Sequence, residues 1–258
     1  MKKTLAIAHN TLREALRERL MYNLAIFALV LILGSLTISQ LTLGEQYRII
    51  ADVATSSTQV FGTFIAVFLG VALVARELDR RTGYALLARP VSRAGFVVGK
   101  YLGLLATLAL NVLVMAVASA AMLLLYGGPS TFLSAGFPSA FWLILVQLSV
   151  CAGFAVLFAA VTTPTLAVIF ALSAVAAGHV FSEVRSFWLK SDQVGMKSIV
   201  RVLDVVLPNM GVLDLKEALT YRDPVQLSSL ALRTGYGLLY AGALVALAAI
   251  VFRKKDLR

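Results

Sequence analysis

From Tyr101 to Ser182 the chain runs for 82 residues without an Asp, Glu, Lys or Arg. As one helix that stretch would be about 120 Å long, whereas the hydrocarbon core of a bilayer is roughly 30 Å thick and is crossed by about 20 helical residues. An ionised side chain at the centre of a crossing costs about 2.5 to 3.5 kcal/mol on insertion scales, so uninterrupted charge-free runs mark spans. This run is long enough for three. Two breaks divide it: "YGGPSTFLSAGFPS" (126–139) carries the glycines and prolines of a loop, and "TTP" (162–164) marks a tight turn between two helices.

Leu20 to Gly44 and Val53 to Ala75 are likewise free of these charges, and each holds one further helix. Thr234 to Phe252 makes the last, as part of a longer helix that begins outside the bilayer with Asp223 as N-cap and Pro224 at its first position. The expected spans are therefore 21–42, 54–75, 97–126, 139–161, 164–182 and 233–252, in a single all-α integral membrane domain covering 1–258. Composition agrees, since 60% of the residues are hydrophobic and only 14% charged, against about a quarter charged in a soluble domain. The first apolar run begins near Met21 behind a charged stretch, with no small-x-small pattern closing it, so no cleavable signal peptide is expected.

With six spans both termini share one side with the loops after spans two and four. That side holds fifteen of the 23 Lys and Arg residues against five acids, which leaves +10, the whole net charge of the chain. Eight bases face eight acids on the other side. The positive-inside rule makes the first side cytoplasmic. A net charge of +10 would also suit nucleic acid, but the bases sit at the ends of apolar runs and form no basic face interleaved with aromatics, so no nucleic-acid partner is expected.

Residues 1–20 read as an amphipathic helix lying along the cytoplasmic interface, with Leu5, Leu12, Leu16 and Leu20 on one side and Arg13, Glu14, Arg17 and Glu18 on the other. A plain basic flank that sets topology accounts for the charges equally well. The extracytoplasmic segment 183–232 is expected to hold short helices before the last span. Its "SIVRVLDVVLPN" places Ile199, Leu203, Val206 and Leu207 on one face and stops at Pro208 and Asn209, as an interfacial or re-entrant helix or an ordinary packed surface helix would.

Catalytic chemistry is hard to assemble from these residues. "GFVVGK" (95–100) has three residues between its glycines where a phosphate loop needs four, and Tyr101 follows the lysine where Ser or Thr is required. Ser139 in "FPSAF" lacks flanking glycines, and His9 and His179 fall at membrane boundaries, His179 near the outer end of span five. One cysteine, Cys151, two distant histidines and no clustered carboxylates offer neither a disulfide nor a transition-metal site. None of the expected spans carries a central ionisable residue of the kind an ion-driven carrier uses. Asn111 and Gln147 are the main amides within the spans, suited to lining a path or to hydrogen bonding between helices, and Gly99 with Gly103 forms a small-xxx-small pair.

The loop after span two, "ELDRRTGYALLARPVSRAGFVVGK" (77–100), is more elaborate than a topological anchor needs to be. It joins a helix-prone part, "ELDRRTGYALLA", to a break at Pro90 and a cap at Ser92, with Tyr84, Leu86 and Leu87 standing among Arg80, Arg81, Arg89 and Arg93. Acid, acid, basic, glycine, paired leucines, then "ARPVSR" and "GK" resembles the loop between the second and third spans of ABC-2 type transporter permeases. "TLREALRERLMYNLAIFALVL", "VVLPNMGVLDL" and "FRKKDLR" are similar to that family's first span with its interfacial helix, its segment before the last helix and its C-terminal ending. The resemblance is closest to permeases of the copper-enzyme maturation and gliding-motility type.

The resemblance implies a permease subunit without ATPase activity in the bacterial inner membrane, an exporter more than an importer. Two copies would pair with two copies of a separate ATP-binding subunit, which would hold the ATP and magnesium, so no cofactor is expected in this chain. Region 76–95 would couple the two. Glu77, Asp79, Arg80, Arg81 and Arg89 would supply charge, Leu86 and Leu87 apolar contact with a groove of the ATPase, and Gly83 and Pro90 the turn. Membrane lipid and an extracytoplasmic protein are further expected partners. The rival readings are a secondary carrier or channel, and a membrane assembly factor that transports nothing.

Overall fold

A computed structural model describes residues 2–17, 26–27, 30, 34, 46–79, 93–127, 136–189, 200, 203, 207–215 and 226–254. Six helices and one 3-10 turn lie among them: α1 (Lys2–Arg17), α2 (Gln46–Asp79), α3 (Arg93–Gly127), α4 (Gly136–Val161), α5 (Pro164–Leu189), the turn Met210–Leu213, and α6 (Leu227–Lys254). The described residues form no strand. In a membrane this is expected, because a helix satisfies every backbone N–H and C=O within its own segment.

Helices α2 to α6 are each long and apolar enough to cross a bilayer. These correspond to the second to sixth expected spans. The first expected span, 21–42, lies outside the described residues apart from four positions, of which Phe27 is fully buried and meets the ring of Phe61 on α2 edge-on at 6.1 Å.

Several ends differ from the sequence expectation. α2 begins at Gln46 and α5 continues to Leu189, both beyond their expected spans. Charge limits the part of a helix that sits in hydrocarbon but not the helix itself, so Arg48, Asp52, Glu183 and Arg185 ride on helical extensions. α6 begins at Leu227, where the Leu230 amide donates to the Gln226 carbonyl at 3.1 Å, so Pro224 is not its first residue. Asp223 and Pro224 lie outside the described residues.

The turn at 162–163 forms as its residues dictate. The backbone N–H and hydroxyl of Thr162 both donate to the Phe158 carbonyl at 2.9 Å and close α4. Thr163 then accepts the first bond of α5, from Ala167 at 2.8 Å, and Pro164 occupies the first helical position, where its missing N–H costs nothing.

α4 is the central helix. It is apolar all round and buried along most of its length, packed against α2 and α6, as a helix without a polar face must be. α5 leaves Ile169, Phe170 and Val180 exposed, and α6 leaves Leu232 and Leu239 exposed, apolar surface that suits contact with lipid. The α2–α4 seam depends on a small-residue stripe at four-residue intervals: Ala54, Thr58, Gly62, Ala66 and Gly70 are all buried. A Cβ at Gly62 would stand 2.5 Å from a Leu148 methyl, and one at Gly70 2.9 Å from the Ala155 Cβ. Small residues let the two backbones approach and gain dispersion contacts that lipid cannot match.

α1 is helical as expected, but its described contact is with α3. Gly103 seats Thr11 so closely that a Cβ there would come 2.5 Å from that of Thr11, which identifies α1 as the partner of Gly103. Thr11 is fully buried while His9 is exposed. Of the expected leucine stripe only the Leu12 side chain is described, and it is half-buried.

Within the expected extracytoplasmic segment, the Leu207 amide donates to the Leu203 carbonyl at 2.8 Å, a helical bond that ends at Pro208. Met210 and Leu213 then turn fully inward. Arg233 fastens this piece to α6 by donating to the carbonyls of Val212 and Asp214 at 3.0 and 3.1 Å, and the Asn209 amide donates to the Tyr236 hydroxyl at 2.8 Å.

Candidate functional site

Two places in the bundle carry polar chemistry. The first is the end where α2 stops at Asp79 and α3 starts at Arg93. Phe96 stacks on Phe252 with centroids 6.3 Å apart, which brings the end of α6 to the start of α3. Lys100 is buried there with its ammonium 5.8 Å from the Phe96 ring. Glu77 and Asp79 are the last residues of α2 to carry charge. Arg80, Arg81, Gly83, Leu86, Leu87, Arg89 and Pro90, together with Ser92, lie outside the described residues. What the structure supplies is the frame: α2 and α3, of 34 and 35 residues, are rods about 50 Å long that meet the two ends of segment 80–92.

The second place is inside the bundle. Most buried hydroxyls are satisfied within their own helix: Thr55 donates to Ala51, Thr58 to Ala54, Thr107 to Gly103 and Ser119 to Met115. Other side chains reach across helices: the Tyr101 hydroxyl of α3 donates to the Ser149 carbonyl of α4 at 2.9 Å, and three more side chains meet one another. Gln59 of α2 donates from Nε2 to Oε1 of Gln147 of α4 at 2.9 Å, and the same nitrogen lies 3.1 Å from Nε2 of His179 of α5. Nε2 of Gln147 lies 2.9 Å from that same His179 nitrogen.

The hydrogen positions follow from the neighbours. Nδ1 of His179 is 3.0 Å from the Val175 carbonyl, which can only accept, so Nδ1 carries the hydrogen. Nε2 then presents a lone pair, and both amides donate to it. The result is a closed triangle of three side chains from three helices. Gln147 is fully buried and Gln59 nearly so. Gln59 lies six residues past Val53, where the charge-free run of α2 begins, and Gln147 eleven residues past Gly136, where α4 begins, so both amides sit within the apolar parts of their helices.

Sequence reasoning marks Gln147 and His179 separately and misses Gln59. The signal is present: Gln59 is the one amide in the charge-free run 53–75, and a side-chain amide in hydrocarbon needs a partner. Which partner it takes depends on how helices far apart in sequence pack. Asn111, the other amide marked, turns back on its own helix, with Nδ2 donating to the Thr107 carbonyl at 2.9 Å. Its buried Oδ1 has no hydrogen-bond partner among the described residues.

A family model described as ABC-2 family transporter protein matches residues 5–257, nearly the whole chain. No curated protein matches it.

Proposed function

This chain belongs to the ABC-2 transporter family, and from that premise we propose that it is an exporter permease driven through segment 77–90 by a separately encoded ATPase. The family assignment makes it a multi-pass membrane component of an ABC transporter, a permease and not itself the ATPase, that works with an ABC ATPase. The finer reading pairs two copies of this permease with two ATPase subunits in the bacterial inner membrane, as the family resemblance implies, and puts both termini in the cytoplasm on the strength of the charge asymmetry.

The observation that carries the reading is the pair of long rods. α2 and α3 run unbroken from the bundle interior to Asp79 and Arg93, so a push on the intervening segment is delivered to both helices rather than absorbed by flexible backbone. In this reading Leu86 and Leu87 seat in an apolar groove of the ATPase. Arg80, Arg81 and Arg89 meet acidic groups or lipid phosphates around it, Glu77 and Asp79 add the opposite charge, and Gly83 and Pro90 set the turn. ATP and magnesium belong to the partner, and closure of the ATPase pair displaces the segment and shifts α2 and α3 against the central α4.

Co-expression with the neighbouring ATPase gene tests this. The wild-type chain is expected to retain the ATPase through detergent extraction, and the pair Leu86→Asp and Leu87→Asp to lose it while membrane insertion stays normal. Retention of the ATPase by the double variant contradicts the docking role.

A further inference from the structure

The seam between α2 and α4 is smooth along its small-residue stripe and fastened by Gln59. The stripe at Gly62, Ala66 and Gly70 offers close van der Waals contact without direction. The hydrogen bonds of Gln59 to Gln147 and His179 are directional, and a shift of an ångström or two breaks them.

We infer that Gln59, Gln147 and His179 form a latch that opens when α2 shifts against α4 and α5 and so helps to set the barrier of the transport cycle. The inference rests on the reading that α2 is moved from its Asp79 end. Its asymmetry follows from connectivity. α4 and α5 are joined by the two-residue turn at 162–163, and Gln147 and His179 share a 2.9 Å contact that does not run through Gln59. α4 and α5 therefore stay together, and the latch parts at α2. On parting, Oε1 of Gln147 loses its donor and Nε2 of His179 loses one of two, inside a bundle with little else to bond to.

Gln59 is thus a positioning residue that acts through two others, and its removal should speed the cycle. In the permease–ATPase complex, Gln59→Leu is expected to raise ATP turnover without added substrate about fivefold, the scale of two interhelical hydrogen bonds in a membrane protein. His179→Phe, which removes one of the two, should raise it about twofold, and the double variant should match Gln59→Leu alone, because the groups act as one unit. Simple packing damage lowers turnover and makes the two effects multiply. Turnover that falls or stays at the wild-type value in Gln59→Leu overturns the latch.

A second measurement needs no ATPase. Spin labels at Asp52→Cys on α2 and Val180→Cys on α5, both exposed positions, report the separation of the two helices in nanodiscs. The wild-type background should give one narrow distance and Gln59→Leu an added, displaced population. A single unchanged distance in Gln59→Leu overturns the latch, even if no ATPase co-purifies and the coupling reading has failed on its own test.

Discussion

Gly62 of α2 faces Leu148 of α4 so closely that a Cβ on the glycine would stand 2.5 Å from the leucine methyl. The contact sits one turn from Gln59, so the tightest steric approach of this seam and its directional bonds lie side by side. Gly62→Val should therefore force the helices apart and destabilise the bundle by about 1–3 kcal/mol, the usual cost of overpacking. Gly242→Ala, at a position with nothing within 4 Å, is the control. Thermal unfolding in detergent should show a lowered transition for the first and none for the second; equal transitions would mean that the seam is looser than described.

The α1–α3 contact makes a separate prediction. Thr11 is fully buried against Gly103, and the glycine leaves no room for a side chain. Gly103→Leu is expected to lift α1 off α3 and to expose Thr11. Maleimide labelling of Thr11→Cys should then rise from near background to at least about fivefold above it, since accessibility follows opening of the contact. Unchanged labelling would contradict the packing of α1.

Arg233 reads as the fastener of the 207–215 piece, because its guanidinium donates to the carbonyls of Val212 and Asp214. Arg233→Ala leaves both carbonyls short of a donor, at a cost of about 1–3 kcal/mol. Hydrogen exchange should quicken by about tenfold or more across 207–215 while the core of α4 keeps its protection. Uniform exchange in both proteins would assign the anchoring to the buried Met210 and Leu213 instead.

What the sequence makes legible here is what depends on local free energy. Charge-free runs locate α2 to α6 because the cost of burying a charge is a property of each residue, and Pro164 marks the α4–α5 turn because its missing N–H is tolerated only at such a position. Ends are harder to read. Asp52 and Glu183 bound the apolar runs, yet the helices continue past them, since leaving the hydrocarbon does not stop a helix. The start of α6 at Leu227 rather than Pro224 is a miss in the opposite direction. The triangle of Gln59, Gln147 and His179 is illegible for another reason: its members are 88 and 32 residues apart, and which of them meet is decided by packing. The coupling residues from Arg80 to Pro90 rest on pattern resemblance and on the rods that flank them.

The central claim is that the segment between α2 and α3 is the seat of the motor, and a photo-crosslinker placed at Leu86 tests it most directly. In membranes holding the full complex, illumination should join this chain to the ATPase subunit, with the yield changing when a non-hydrolysable ATP analogue closes the ATPase pair. Crosslinks to lipid alone, with the ATPase captured instead from a probe elsewhere on the chain, would contradict it.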